Sequence, residues 1–359
     1  MNAPPPRLLV LNRRDPFHPQ GGGAERYLRE VVRGFIARGW EVDWWCSRFR
    51  GAAARETPEP GWNLIRRGGE WATHWHGRRW ARAHADRYTV ILDTFNGMGF
   101  STAGLARSRL LVFQLYGPEF WCAEFGAAGR IAAALERHWL KAWRGRPVAT
   151  ISASTRDDLS ALGLRDAAIV PVGLDWTPPE ATPPKPGPLT CLYLGRLRAT
   201  KNPADALRAF GEIRRRHPGA RMIVAGTGPE EQELRRQYSA EDVEFRGRVS
   251  EETKIELLRR AHLALIPSRR EGWNMVVTEA ASMGTPSVGY DVRGVRESIR
   301  DGETGVLVNA GDWRALGAAA SDLLGDRARW SRMADLARIR AAEFTWERTR
   351  RMFYDWATL

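Results

Sequence analysis

Lysine is nearly absent from this chain. Its 359 residues include 55 basic ones, of which only Lys141, Lys185, Lys201 and Lys254 are lysines. A lysine placed near other candidate ligand groups therefore carries more information than any of the arginines. Cysteine is scarce as well. Cys46, Cys122 and Cys191 are far apart, odd in number and without C-x-x-C spacing, which argues against a disulfide framework or a zinc site and for a reducing, cytoplasmic compartment. Long apolar runs are missing: the opening MNAPPPRLLVLNRRD returns to charge too soon for a signal peptide or a membrane span. The first glycine cluster lacks the G-x-G-x-x-G spacing of a dinucleotide fingerprint. No D-x-D carboxylate pair falls at a suitable strand end, so no divalent metal is implied.

What is present describes a soluble globular protein, with 43% hydrophobic and 27% charged residues and no low-complexity tail. The length exceeds what one core usually supports and predicts two domains. The net charge of +13 is dispersed along the chain. A GC-rich coding sequence is the simpler source of so much arginine; attraction to an anionic surface is the other.

RLLVLN at 7–12 reads as a buried strand, the stretch 24–39 as a helix ending in glycine, and EVDWWCS as the next strand. Strand, glycine-rich loop, helix and strand make a βαβ unit of a parallel sheet. Further strands are predicted in 88–97, 109–117 and 147–154, ending in polar residues or glycine as expected at the ligand-binding edge of such a sheet. WTPPEATPPKPGP at 176–188 is too rich in proline for helix or central strand and reads as a linker. The alternation then restarts. The expectation is two doubly wound, Rossmann-like α/β domains, 1–175 and 189–342, facing each other across a cleft. A terminal helix over 343–359 either caps the second domain or crosses back to the first.

The most informative stretch is REGWNMVVTEAASMGTP at 270–286. Glu271 precedes a helix and Glu279 lies inside it among apolar neighbours, so the pair calls for a ligand or a partner charge. The amides from Trp273 through Asn274 and Met275 to Val276 open that helix and suit a phosphate. Arg196 and Lys201, in LGRLRATKN after a strand, combine a planar fork with a mobile point charge, as a diphosphate requires. Gly22 and Gly23, in PQGGGAERY, stand between a strand and a helix where a backbone can approach an anion or sugar oxygen. AGTGPE at 225–230, taken alone, is a weak nucleotide-loop signal.

At these residues the chain resembles the retaining glycosyltransferases of family 4, which share the GT-B fold. The resemblance spans nearly the whole chain and is most specific over 262–308, with the paired glutamates, an A-x-x-x-G-x-P turn and a D-G-x-x-G-x-L-V ending. GRLRATKN, IVAGTGPE and VEFRGRVSEE match in order and spacing. The resemblance implies that Glu271 holds the donor sugar, Glu279 the ribose, and Arg196 with Lys201 the diphosphate as leaving group. It further implies that Gly195, Gly226, Gly272 and residues 273–276 line the donor, that Gly22 and Gly23 reach its phosphate and the acceptor, and that Arg246 and Gly247 lie beside the base. The implied reaction moves a sugar from a nucleoside-diphosphate donor, UDP or GDP, to a hydroxyl of an envelope polysaccharide, glycolipid or natural product. It needs no cofactor and no metal.

Two departures from the family pattern stand out. Asn274 occupies a position where glycine is common, and Asn tolerates the left-handed conformation. VFQLYGPEFW replaces a family histidine, leaving Asn96, Tyr116 and Glu119 as candidates on the acceptor or sugar side. His18, His74, His76, His84 and His138 are expected to be structural.

The competing class is a non-catalytic protein binding an anionic surface or nucleic acid. GGEWATHWHGRRWARAH at 68–84 supports it, with Trp71, Trp75, Arg78, Arg79 and Arg82 at helical spacing. Packing of these tryptophans between helix and sheet is the simpler expectation, and such a protein has no use for the glutamate pair. A nicotinamide oxidoreductase needs the missing fingerprint. A pyridoxal enzyme needs a deep lysine, whereas Lys254 is predicted on a surface helix. The expectation is thus a cytoplasmic monomer or weak dimer, with donor and acceptor as partners, no nucleic acid, and peripheral attachment to the inner face of an anionic membrane left open.

Overall fold

The computed structural model describes residues 4–238 and 241–359, apart from the side chains of residues 119, 123 and 124. The chain divides into two compact units: the residues up to Gly173 together with Trp346–Leu359, and Leu174–Thr345.

In the first unit the strands are β1 (Arg7–Leu11), β2 (Glu41–Cys46), β3 (Arg55–Glu59), β4 (Trp62–Arg66), β5 (Val90–Asn96), β6 (Ser108–Gln114), β7 (Val148–Thr150) and β8 (Ala168–Ile169). They form one sheet in the order β3-β4-β2-β1-β5-β6-β7-β8. All pairings are parallel except β3 with β4. That hairpin is invisible to hydrophobic patterning because β3 reads RETPE; an edge strand tolerates charge and Pro58. The helices are α1 (Gly23–Ile36), α2 (Ala72–Ala83), α3 (Gly117–Phe125), α4 (Gly129–Lys141) and α5 (Ala153–Ala161). β1 and β2 are buried almost throughout because both faces of a parallel sheet are covered. Tryptophan does much of the filling: Trp44 stacks on Trp62, and Trp45 packs on Trp80 while donating Nε1–H to Thr73 Oγ1 at 3.1 Å.

The second unit alternates strictly. Its elements are β9 (Thr190–Leu194), α6 (Pro203–Arg216), β10 (Arg221–Ala225), α7 (Glu231–Gln237), β11 (Val243–Gly247), α8 (Glu251–Arg260), β12 (Leu263–Ile266), α9 (Met275–Ser282), β13 (Ser287–Tyr290), α10 (Val295–Ser298), β14 (Gly305–Val308), α11 (Trp313–Gly325) and α12 (Arg327–Ala341). The sheet is wholly parallel, in the order β11-β10-β9-β12-β13-β14. Side chains alternate across it. Cys191, Tyr193, Leu263 and Leu265 join the core on the α6 and α11 side, whereas Leu192, Ala264 and Ile266 join the core beneath α8 and α9.

The proline-rich stretch belongs to this second unit and is fastened to it. Lys185 Nζ donates to Met283 O at 2.8 Å, Arg259 O at 2.9 Å and Thr285 Oγ1 at 2.7 Å, and burial pushes its pKa down to about 7. The last helix, α13 (Trp346–Thr358), packs on the first unit. Trp346 and Phe353 meet Tyr27 edge to face, Arg350 pairs with Glu30 of α1, and Thr349 donates to Pro171 O at 2.9 Å.

Candidate active site

The strand order locates the site before any side chain is considered. In the second sheet the order reverses between β9 and β12, and in open parallel sheets the loops leaving such a switch point receive the ligand. These loops are 195–202, after β9, and 267–274, after β12. They are tied together by Arg269 N–H donating to Thr200 O at 3.0 Å.

Lys201 and Glu271 come from the two loops and meet there: Lys201 Nζ lies 2.5 Å from Glu271 Oε1. The same oxygen accepts from Asn274 Nδ2 at 3.2 Å. Glu271 is buried, while Lys201 is a third exposed, so one end of the pair is anchored and the other is presented. Lys201 is aimed by its successor. Asn202 adopts a left-handed conformation (φ 53°) and donates to Asp205 Oδ2 at 2.6 Å, and Tyr290 Oη donates to that same oxygen at 2.7 Å. Gly294 (φ 79°) brings the following loop so close that a Cβ would sit 2.4 Å from Glu271 O.

Glu279 is buried on α9, with Oε1 2.9 Å from Lys254 Nζ. Lys254 is itself buried on α8, which corrects the expectation of a surface position. Gly272 is buried. Trp273 donates Nε1–H to Thr278 Oγ1 at 2.9 Å, and Met275 and Val276 form the first turn of α9. Asn274 is the cap residue, with an extended backbone (φ −90°, ψ 96°), so the left-handed conformation considered for it is not used. Gly195 and Gly226 form the floor beside β9 and β10. A Cβ on Gly226 (φ 137°) would stand 1.9 Å from Gly195 O, which makes glycine obligatory there. Arg196 is exposed in the loop after β9, with its carbonyl held by Tyr193 Oη at 2.9 Å. Gly247 closes β11, and Arg246 pairs with Glu244 on that outer strand.

The first unit has its own switch point, between β1 and β5. Gly22 caps α1, and its N–H donates to Glu25 Oε2 at 2.7 Å; Gly23 opens the helix. Asn96 ends β5 and accepts from Tyr116 Oη at 2.5 Å, so two residues singled out from sequence are in contact. Glu136, buried on α4, receives the amides of Tyr116 and Gly117 at 2.8 and 2.9 Å and fixes that turn. The Glu119 side chain lies outside the described residues. His74 is buried against Phe100, and burial holds its pKa down at about 4.

Two family models divide the chain. Residues 21–176 match Glycosyltransferase Family 4, and residues 176–340 match Glycosyl transferases group 1. The chain belongs to the family 4 glycosyltransferases. Among curated relatives of this family 4 chain, the glycogen synthase of Mycobacterium tuberculosis is 34% identical over 236 residues, which are 61% of this chain and 57% of that protein. The D-inositol 3-phosphate glycosyltransferase of Nocardia farcinica is 36% identical over 180 residues, 46% of this chain and 39% of that one. The chain therefore spans about half the length of the curated relatives it matches. Solved structures share the fold: sucrose-phosphate synthase from Thermosynechococcus elongatus superposes with a TM-score of 0.80 at 20% identity, covering 98% of each chain. WaaG, a glycosyltransferase involved in lipopolysaccharide biosynthesis, gives 0.78 at 16% identity over 98% of this chain and 99% of that one. Anabaena HepE in complex with UDP-glucose gives 0.71 at 15% identity over 97% and 98%. The two Rossmann-like units of this family 4 chain are those of the GT-B fold.

Sequence reasoning missed the Asn202–Asp205–Tyr290 brace and the Lys254 contact to Glu279. The first joins residues 85 apart and has no local signature. The second had a usable signal, since Lys254 is one of four lysines in the chain.

Proposed function

We propose that the protein is a retaining glycosyltransferase that moves a sugar from a nucleoside-diphosphate donor, UDP or GDP, to an acceptor hydroxyl. The observation that carries this reading is the meeting of Lys201 with Glu271 at the switch point of the second sheet, 2.5 Å apart. An ammonium has three N–H donors, and the contact to Glu271 uses one. The others serve the diphosphate, together with the Arg196 guanidinium.

In the proposed reaction the bond from the anomeric carbon to the phosphate oxygen breaks with its electron pair on phosphate, through an oxocarbenium-like state. The acceptor oxygen bonds to the same face, and its proton passes to the departing phosphate. Charge grows on the leaving group, so Lys201 and Arg196 bind the transition state more strongly than the ground state. Glu271 orients the donor sugar through its hydroxyls. Glu279 accepts from the ribose, Gly195, Gly226, Gly272 and the 273–276 turn shape the donor side, and Arg246 with Gly247 flanks the base. On the first unit, Gly22, Gly23, Asn96 and Tyr116 serve the acceptor side. These side chains supply the positive charge themselves, and we propose a reaction independent of metal. The complex of HepE, which shares this fold, with UDP-glucose supports a nucleotide-sugar donor. The acceptor class is an envelope polysaccharide, a glycolipid or a natural product, used by a cytoplasmic monomer or weak dimer.

The deciding experiment is thermal unfolding with UDP, GDP, ADP and dTDP, each with and without EDTA. A concentration-dependent rise with one diphosphate, unchanged by EDTA, is expected. No rise with any of them refutes the donor site, and a rise abolished by EDTA refutes metal independence.

Peripheral attachment to an anionic membrane is favoured by one observation. Trp71 and Trp75 are 62% and 57% exposed instead of packed against the sheet, and Arg79 lies over the Trp75 ring. Flotation with phosphatidylglycerol vesicles, lost in a Trp71→Ala/Trp75→Ala variant, is the expected result. Equal flotation with neutral vesicles removes the electrostatic part of this reading.

A further inference from the structure

Lys254 occupies a position that helical periodicity reserves for an apolar residue. The buried positions of α8 are Lys254, Leu257 and Leu258. A long cation among them needs a reason, because a charge removed from water must be compensated. Its ammonium lies 2.9 Å from Glu279 Oε1 and 2.7 Å from Glu251 Oε2, and 5.4 Å from the centroid of the Trp176 ring. The two carboxylates differ in kind. The Glu251 side chain is 63% exposed and its pairing is screened by water, whereas the Glu279 side chain is 4% exposed. Behind Glu279, Trp176 donates Nε1–H to Ser282 Oγ at 2.9 Å, and that hydroxyl donates to Glu279 O at 2.6 Å. Backbone and carboxylate of Glu279 are thus both braced, by residues from the proline-rich stretch, α8 and α9.

We infer that Lys254 is a positioning residue for recognition of the nucleotide's ribose: it holds the Glu279 carboxylate in one rotamer, so that the carboxylate accepts from the ribose hydroxyls. This rests on the proposed donor reading of Glu279. The physical case is that a carboxylate discriminates a vicinal diol only if it is oriented beforehand. A carboxylate offers about four lone-pair sites, so the contact to Lys254 leaves acceptor capacity. In this buried place the orientation comes from the ion pair with Lys254. Glu251 pairs with the lysine from the solvent side.

The test measures calorimetric dissociation constants of the full chain for UDP, GDP and ADP and for their 2′-deoxy forms. The wild type is expected to bind the ribonucleotide about tenfold more tightly than the deoxy form of the base it accepts, the worth of one charge-assisted hydrogen bond. Lys254→Met, close in volume but uncharged, is expected to bring this ratio near one, and Lys254→Arg to restore part of it. If Lys254→Met does not fold, Lys254→Gln serves in its place, with an intermediate ratio expected. A wild type that binds a diphosphate without ribose preference overturns the ribose role of Glu279, and binding of no diphosphate overturns the donor reading itself. A wild type with the preference, retained in full by the Met or Gln variant, overturns the role of Lys254 alone. A change in unfolding temperature cannot mimic these results, because a purely structural lysine leaves the ratio untouched.

Discussion

The switch points of the two sheets are built from different materials. In the second unit the candidate site consists of charges in pairs, Lys201 on Glu271 with the glutamate buried and Lys254 on Glu279 with both partners buried. In the first unit the loop after β1 has ion pairs too, Arg66 on Asp15 and Arg14 on Glu70, but the side after β5 and β6 holds neutral and aromatic groups, with Asn96 bonded to Tyr116, Phe120 stacked on Tyr116 and Trp121 meeting both at their edges. Glu136 serves this turn alone, accepting from the amides of Tyr116 and Gly117 and from Trp121 Nε1, and Glu25 accepts from the Gly22 amide and Asn12 Nδ2. Under the proposed assignment the aromatic side after β5 and β6 fits an acceptor, met by shape and ring faces whose cost of change is low, and the charged pairs of the second unit fit a diphosphate, a constant ligand of high charge.

Breaking the charged half has the largest expected effect. Lys201→Ala should lower kcat by about 10²–10³-fold with little change in KM for the donor, since leaving-group charge develops in the transition state. Steady-state kinetics with both substrates varied will show it, and an effect confined to KM contradicts the assignment. Next in size, Glu279→Ala should weaken nucleoside-diphosphate binding about 10- to 100-fold, the worth of hydrogen bonds to a charged acceptor. Unchanged nucleotide affinity by calorimetry rejects the ribose role.

Two buried groups of the first unit should give its stability a marked dependence on acid pH. His74 is buried and neutral, with its pKa lowered from 6.5 to about 4. Between those values the unfolded chain binds more protons, so stability falls as pH drops through this window, by about 2 kcal/mol at pH 5. Asp93, buried nearby with its amide and hydroxyl donors from Phe100 and Thr102, is raised from 3.8 to about 6 and has the opposite slope. His74→Asn should therefore flatten the acid loss, and Asp93→Asn should steepen it. Denaturant unfolding from pH 7 to 4 measures both, and parallel profiles for all three proteins refute the assignment. The smallest effect belongs to Tyr116→Phe. It removes the hydroxyl contact to Asn96 and should raise the acceptor KM a few-fold, about 1 kcal/mol, without changing diphosphate affinity. A change in diphosphate affinity instead moves Tyr116 to the donor side.

Much of this molecule is written in local pattern. Alternating apolar strands and amphipathic helices, punctuated by glycine, specify two doubly wound units because both signals act over a few residues. The glutamate pair was legible for a similar reason: carboxylates among Trp273, Met275, Val277 and Ala280 contradict their surroundings, and contradiction is visible in a single line of sequence. Only the tertiary structure decided the rest. It chose which lysine faces which glutamate, placed α13 on the first unit, bound the proline-rich stretch to the second, and left Trp71 and Trp75 in the open. Each of these depends on groups far apart in the chain that become neighbours only when strand order is set. An ion pair or a packed ring carries no periodicity to announce it beforehand.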